Sequence, residues 1–310
     1  MRICVFGAGS LGSALGGILA KRHEVHLVGR PPHVSAVRSG GLLLSGSVHS
    51  HVRAQAHLSV MDVPPVDLLI ISTKAYDTHE AVDACRGWAS DSTKVLTLQN
   101  GLGNLDTIRS WKGSSAFGGT TSLGALLAGP GRVEISGLGR TVIGADMDPV
   151  GAREIVRMLA ECGLPTEAKS DVMGEIWAKG VVNACINPVT AILRVPNGAL
   201  LQSEAVTKLM GGICAECEAV AEACDVHLPG NDMFGKVRSV AEDTGRNRSS
   251  MLTDVELGRR TEIHEINGAF LGHGMEKGVR APLNKAMVAM VEALEATTPK
   301  GSVNLRVVVL

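Results

Sequence analysis

The sequence predicts an α/β fold, with a parallel sheet flanked by helices in the first half of the chain and a helical domain in the second. Three observations predict it. Apolar strand patterns alternate with helix patterns up to about residue 168, which is typical of a parallel sheet. A glycine-rich turn joins the first strand pattern to the first helix pattern. Beyond residue 170 the apolar residues recur with a helical period almost throughout.

The first half reads in order as strand, turn and helix, repeated. Strand patterns cover residues 2–6, 24–28, 66–72, 94–98 and 164–168, and helix patterns cover residues 10–21, 77–85 and 149–162. Residues 41–58 predict several extended pieces. Residues 116–144 predict an extended, glycine-rich stretch with a hairpin near Gly129 and Gly131.

The second half predicts five helices, at residues 171–192, 202–224, 231–243, 255–277 and 282–296. The change of period places a domain boundary near residues 169 and 170. We therefore expect a dinucleotide-binding domain at 1–169 and a helical substrate domain at 170–310. The tail, residues 303–310, alternates weakly and is expected to form a terminal strand.

Composition limits the class of protein. The 310 residues are 45% hydrophobic and 20% charged, with a net charge of -1, so neither nucleic acid nor a membrane surface is an expected partner. The seven cysteines are odd in number and scattered, which predicts reduced thiols in a cytoplasmic protein. Cys214 and Cys217 form a C-x-x-C, but no second pair follows at metal spacing, so no metal site is expected. No signal peptide and no apolar run long enough to span a membrane is apparent.

The glycine-rich turn is the first candidate site. It reads Gly7-Ala8-Gly9-Ser10-Leu11-Gly12, after a strand and before a helix, which is the context of a Rossmann-type dinucleotide site. The glycines permit a tight turn and close approach of the backbone to a pyrophosphate, and the helix N-terminus favours its negative charge.

The end of the second strand indicates which dinucleotide is bound. An NAD site would place an acidic residue there for the ribose 2′-hydroxyl. This strand ends instead in Val28-Gly29-Arg30, and Lys74 follows a later strand. Both cations can pair with a 2′-phosphate, so the expected cofactor is NADP(H). The alternative is that both are surface charges.

Lys179, Asn183 and Asn187 form the second candidate site. They are four residues apart in WAKGVVNACINPVTA, so a helix would align them on one face among apolar neighbours. One ammonium and two carboxamides in apolar surroundings suit a small polar ligand, expected to be anionic. Further along, Ser250 would either cap a helix or bind a ligand carboxylate, and Glu262 would be either functional or a solvated charge.

These segments resemble the ketopantoate reductase (2-dehydropantoate 2-reductase) family. The matching pieces occur in family order over about residues 1–285: GAGSLG, STKAYDT, LQNGLGN, GGTTSLGA, WAKGVVNACINPVTAILRVPNGAL and NRSSMLTDVELGRRTEIHEINGAF. The resemblance implies a Rossmann domain and a helical domain of the 6-phosphogluconate dehydrogenase type, with the active site in the cleft between them. It also implies NADPH-dependent reduction of 2-dehydropantoate to (R)-pantoate, a step towards pantothenate and coenzyme A, by a monomer or homodimer.

The resemblance assigns roles residue by residue. Lys179 matches the proton donor, and Glu262 lies close to it. Positions matching substrate-binding residues are Asn183, Asn187, Asn197 and Ser250, with Asn100 expected at both ligands; positions matching cofactor contacts are Lys74, Asn100, Ala125 and Glu262.

The sequence departs from the family pattern at His264, where the family carries Asp, and in the tail. Two other functions stay open: reduction of another small 2-oxo acid, and a non-catalytic NADP(H)-binding sensor.

Overall fold

The computed structural model describes residues 1–144 and 146–298. The tail, residues 303–310, for which a strand was expected, lies outside them. The chain divides into two compact units: unit 1 contains Met1–Gln99 and Gly103–Glu175, and unit 2 contains Asn100–Leu102 and the described residues from Ile176 onward. The assignment of residues 1–169 and 170–310 to two functional domains stays a prediction.

Unit 1 is built on two sheets. The strands of the described residues are β1 Arg2–Phe6, β2 Glu24–Val28, β3 Leu42–Gly46, β4 Ser50–Val52, β5 Gln55–His57, β6 Leu68–Ile71, β7 Lys94–Thr97, β8 Ala116–Thr121, β9 Gly124–Gly129, β10 Arg132–Gly137, β11 Thr141–Gly144 and β12 Thr166–Lys169. The larger sheet has the order β12-β11-β8-β7-β6-β1-β2-β5, and its pairs are parallel except β11 with β8. The smaller sheet has the order β4-β3-β10-β9.

Buried apolar strands explain the larger sheet. Residues Leu68–Ile71 are buried on both faces, as parallel strands covered by helices require. The expected hairpin is confirmed: β9 and β10 are antiparallel and turn at Pro130 and Gly131.

The helices are α1 Ser10–Leu19, α2 Pro31–Gly40, α3 Thr78–Arg86, α4 Asn104–Lys112, α5 Pro149–Glu161, α6 Val172–Leu193, α7 Glu204–Ala223, α8 Met233–Asp243, α9 Ser250–Glu256, α10 Ala269–Lys277 and α11 Pro282–Thr297. The described residues from Ile176 onward therefore form a helical unit, and the expected fold class is confirmed. Helices α2 and α4 were not expected from the sequence.

The single helix expected at residues 255–277 is wrong. Helix α9 ends before Gly258, whose φ is +60°. The Gly258 N–H donates to the Val255 carbonyl, and the Arg259 N–H donates to the Asp254 carbonyl, which is the Schellman arrangement that stops a helix. The chain becomes helical again in a π-helical turn, His264–Gly268, that leads into α10.

No apolar run long enough to span a membrane was expected, but helix α6 has the length and composition of one, with a mean hydropathy of 1.3. However, 72% of its apolar window is buried inside the protein. Burial of this extent is typical of a core helix, and it explains why the polar side chains of α6 stand among apolar neighbours.

Candidate active site

The glycine-rich turn of unit 1 requires glycine for two different reasons. Gly7 has φ +104°, and a Cβ on it would lie 2.5 Å from the Thr73 backbone nitrogen. A Cβ on Gly12 would lie 2.2 Å from the Gly7 carbonyl oxygen. A Cβ on Gly9, by contrast, would meet no atom within 4 Å, and Gly9 is exposed at the start of α1. The turn is thus closed towards the sheet and open in front of the helix, which fits a dinucleotide pyrophosphate.

Both candidate 2′-phosphate cations follow strands that pair with β1. The Gly7 and Ala8 N–H groups donate to the Val28 carbonyl at the end of β2, at 3.0 and 2.9 Å, and Arg30 comes two residues later. Arg30 is exposed and stands immediately before α2.

Lys74 follows β6 on the other side of β1. The Ser72 hydroxyl donates to the Gly7 carbonyl at 3.0 Å, so the segment that carries Lys74 also borders the glycine-rich turn. Lys74 is partly buried. Ala125 lies in β9, the strand whose Leu127 N–H donates to the Ser10 hydroxyl at 3.0 Å. The expected dinucleotide residues of unit 1 therefore border one turn.

Helix α6 carries the expected row of one lysine and two asparagines. Lys179 and Asn183 are partly buried, and Asn187 is 6% exposed. Asn183 donates from Nδ2 to Oδ1 of Asn100 at 3.5 Å. The row is one face of a buried helix, as the four-residue spacing predicts.

Lys179 and Glu262 interact electrostatically. Glu262 is 6% exposed, so the alternative of a solvated charge is wrong. Burial lowers the pKa of Lys179 to about 8, and the Glu262 carboxylate opposes that shift. A lysine with this pKa is largely protonated at neutral pH and releases its proton more readily than a solvated one, which suits a general acid.

A proline inside α6 creates a hydrogen-bond link between this helix, which carries Lys179, and the segment that carries Glu262. Pro188 lies inside α6 and has no N–H, so the Ala184 carbonyl loses its helical donor. Asn267, which is fully buried in the π-helical turn, donates from Nδ2 to that carbonyl at 3.1 Å. The same amide donates to Oδ1 of Asn284 at 3.0 Å. No local pattern assigns a role to Asn267; the proline inside α6 is the signal that a distant donor is needed.

Glu216 of α7 completes this buried network. It accepts from the Asn284 side chain at 2.9 Å and from the backbone N–H groups of Leu283 and Asn284 at 2.8 and 2.9 Å. Its carboxylate thereby satisfies the start of α11, where a negative charge is favourable. The network connects α6, α7, α11 and the π-helical turn of unit 2.

Asn100 is held in unit 2 by its neighbours. Gly101 has φ +86°, and a Cβ there would lie 2.7 Å from the Glu265 carbonyl oxygen. The Leu102 N–H donates to that same oxygen at 3.0 Å. A glycine is thus required where this segment meets the π-helical turn, and Asn100 lies beside Asn183 as a result.

Asn197 and the start of α9 lie further along unit 2. Asn197 is 8% exposed and donates from Nδ2 to the Thr244 hydroxyl at 2.9 Å. Its Oδ1 is buried, and the described residues provide it with no donor. A buried acceptor without a donor is costly, so this atom fits a ligand hydroxyl.

The capping role considered for Ser250 belongs to Ser249. The Ser249 hydroxyl accepts from the Leu252 N–H at 3.0 Å and from the Thr190 hydroxyl at 2.7 Å. Ser250 is the exposed first residue of α9. Thr190 is one turn beyond Asn187 on α6, so this bond ties the start of α9 to the helix that carries the asparagine row.

His264, the departure from the family pattern, is exposed and pairs with Glu292 of α11 at 3.1 Å. Exposed ion pairs contribute little to stability. Among the described residues, no group of three or more His, Cys, Asp or Glu side chains is placed to hold a metal ion.

The fold defines a class: a Rossmann-type oxidoreductase with a separate helical unit, which here carries a lysine whose pKa is lowered by burial. Family models described as "Ketopantoate reductase PanE/ApbA" and its "C terminal" match residues 3–147 and 171–295. The chain belongs to the ketopantoate reductase family, as its motifs predicted.

Individual relatives agree with this membership. A 2-dehydropantoate 2-reductase of Pyrococcus horikoshii is 37% identical over 306 residues, 96% of this chain and 98% of the relative. A ketopantoate reductase structure from Ralstonia eutropha is 34% identical, has a TM-score of 0.90, and is matched over 96% of this chain and 99% of the other. D-mandelate dehydrogenase, solved with NADH and anilino(oxo)acetate, is 28% identical with a TM-score of 0.91, over the same shares of the two chains.

Proposed function

We propose that this protein is an NADP-dependent oxidoreductase that reduces 2-dehydropantoate to (R)-pantoate, in pantothenate and coenzyme A biosynthesis. The observation that carries the proposal is the pairing of Lys179 with the buried Glu262 beside a row of amides. Family membership supports the same reaction, because curated relatives are named 2-dehydropantoate 2-reductase.

We assign the two substrates of the reaction to two sets of residues that share Asn100. We assign the dinucleotide to Gly7, Ala8, Gly9, Ser10, Leu11, Gly12, Arg30, Lys74, Asn100, Ala125 and Glu262. We assign the 2-oxo acid to Asn100, Asn183, Asn187, Asn197 and Ser250. When bound, NADPH supplies the hydride that reduces the carbonyl carbon.

Lys179 is the proposed proton donor. As the ketone is reduced, negative charge develops on its oxygen, and the ammonium both stabilises that charge and transfers a proton to it. One hydride on carbon and one proton on oxygen give the alcohol. Glu262 keeps the ammonium charged before the transfer, because it opposes the pKa shift caused by burial.

The asparagines supply orientation without charge. Asn183 and Asn187 are presented by the same helix face as Lys179. The Asn197 Oδ1 needs a donor that the described residues do not provide, and a hydroxyl of the substrate would provide one. Rejection of 2-oxo acids that lack this hydroxyl is the expected consequence, because the buried oxygen would then stay unpaired.

The direct test is NADPH oxidation with purified protein and a panel of 2-oxo acids. Lys179→Ala should lower kcat by about 10²–10⁴-fold, the usual scale of general acid catalysis. Near-normal turnover in that variant would refute the role of Lys179. A wild-type protein that binds NADPH but oxidises it with no 2-oxo acid would instead be the sensor considered above.

One observation supports an alternative substrate. The chain is similar to D-mandelate dehydrogenase, which makes an aromatic 2-oxo acid the second candidate. The comparison of kcat/KM for 2-dehydropantoate with that for the 2-oxo acid of D-mandelate separates the two. A hundredfold preference for the aromatic acid would overturn our assignment.

We further propose a cytoplasmic monomer or homodimer that requires neither nucleic acid nor membrane. The near-neutral net charge of -1 supports the absence of such partners. Light scattering on the purified protein would give the oligomeric state.

A further inference from the structure

A buried chain of hydrogen bonds ends at the glycine-rich turn of unit 1. The Gly131 N–H donates to Nδ1 of His33 at 3.1 Å. Nε2 of His33 lies 3.1 Å from the Ser13 hydroxyl oxygen, and that hydroxyl donates to the Ala8 carbonyl at 3.2 Å. His33 is 5% exposed and Ser13 is fully buried.

The bonds define the state of the imidazole. Nδ1 accepts from a backbone N–H, so it carries no proton, and the proton of the neutral ring is on Nε2. Nε2 therefore donates to Ser13, whose own proton is directed to Ala8. Burial lowers the pKa of His33, which favours the same neutral form.

These hydrogen bonds join the two ends of the proposed dinucleotide site. Ala8 belongs to the turn assigned to the pyrophosphate. His33 lies in the first turn of α2, the helix that begins directly after Arg30. Arg30 is the residue assigned to the 2′-phosphate. The imidazole thus links the backbone of the glycine-rich turn, through Ser13, to the helix that follows Arg30.

Packing alone does not account for a histidine here. Val34 and Val37 of α2 are 1% and 2% exposed and already join the core of unit 1. An apolar residue at position 33 would fill space without the cost of burying polar atoms. What the imidazole adds is direction: one acceptor towards Gly131 and one donor towards Ser13.

We propose that His33 is a positioning residue for NADP(H), acting through Ser13 on the glycine-rich turn. The inference rests on the proposed cofactor site. It concerns the spacing that a 2′-phosphorylated dinucleotide needs, and NADH, which has no 2′-phosphate, depends on it less.

Three variants test the individual hydrogen bonds of this series. Ser13→Ala removes the hydroxyl in the middle of the series with a small change of volume. His33→Asn retains a group near Nδ1 that can accept from Gly131 but loses the donor to Ser13. His33→Gln places an amide donor towards Ser13 and loses the acceptor for Gly131. His49→Gln, at an exposed position in the loop before β4, is the control.

The measurement is direct binding of NADPH and of NADH to the full chain by nucleotide fluorescence, without 2-oxo acid. Ser13→Ala and His33→Asn should weaken NADPH binding about tenfold, because the turn and the helix after Arg30 are then no longer preorganised for the cofactor, and NADH binding less than about threefold. His33→Gln should recover most of the NADPH affinity, and His49→Gln should match the wild type. Thermal unfolding of each variant confirms that it is folded at the assay temperature.

Two results would overturn the inference: unchanged NADPH affinity in Ser13→Ala, or equal losses for NADPH and NADH in every variant. Equal losses would show that His33 only stabilises the fold. Failure of the proposed function looks different, because the wild type itself would then not bind NADPH or not oxidise it with any 2-oxo acid.

Discussion

Replacement of Glu262 by Gln should move the pH dependence of the reaction. Lys179, the proposed proton donor, must carry its proton to act, so kcat/KM should fall as pH rises through its pKa, which is about 8. Glu262 raises that pKa against the effect of burial. Without its charge, burial acts alone, and the alkaline limb of the profile should move to lower pH.

The size of the shift follows from the burial of the pair. An opposite charge in close range shifts a pKa by about 1–3 units, and Glu262 is 6% exposed, so solvent screens it little. We expect a displacement of about one unit or more. At pH 8 a displacement of one unit would lower the protonated fraction of Lys179 from about half to about one tenth.

The assay is kcat/KM for the 2-oxo acid at saturating NADPH, measured from about pH 6 to pH 10. Glu265→Gln is the matched control, since Glu265 is a half-buried carboxyl of the same segment whose own pKa burial raises. Among the described residues, Glu262 is the carboxylate that acts on the pKa of Lys179. An alkaline limb that stays in place, or moves to higher pH in Glu262→Gln, would refute the electrostatic account.

Three further outcomes are expected. Arg30→Ala should raise KM for NADPH and hardly change KM for NADH; equal effects would make Arg30 a surface charge. The pKa of Lys179 is lowered on folding from 10.5, so the unfolded chain binds more protons between about pH 8 and 10.5. Over that range the free energy of unfolding should rise relative to Lys179→Met, by at most ~1.4 kcal/mol per pH unit in denaturant titrations. Ser249→Ala should cost about 1 kcal/mol of stability through the lost cap, whereas Ser250→Ala should leave stability unchanged and raise KM for the 2-oxo acid.

The central strands β1, β2, β6 and β7 of the larger sheet were predictable because most of their residues are buried and apolar. Strands that are covered on both faces give continuous apolar runs in the sequence. Helix α2 was missed because Pro31 and Pro32 look like helix breakers, although proline is favoured in the first turn of a helix. Helix α4 was missed because Gly103, with φ +86°, precedes it in a glycine-rich stretch that reads as a loop.

The candidate site also has features that the local sequence predicts and features that it does not. The row on α6 could be predicted because spacing along one helix is a local property. Ser249 and Ser250 are both placed to cap α9 by sequence alone, and only the hydrogen bonds distinguish them. The perturbed pKa of Lys179 depends on burial and on a carboxylate far along the chain, so no local pattern contains it.

Pro188 explains how Glu262 is held near Lys179 although the two residues are far apart in the sequence. A proline inside a buried helix would leave the Ala184 carbonyl unpaired, at a cost that a core helix does not tolerate without compensation. Asn267 compensates from 83 residues along the chain. Because Asn267 follows Glu262 by little more than one helical turn, the bond that repairs α6 also fixes the segment of Glu262 against the helix of Lys179. The proline inside α6 therefore helps to place the carboxylate that acts on the pKa of Lys179, the proposed proton donor.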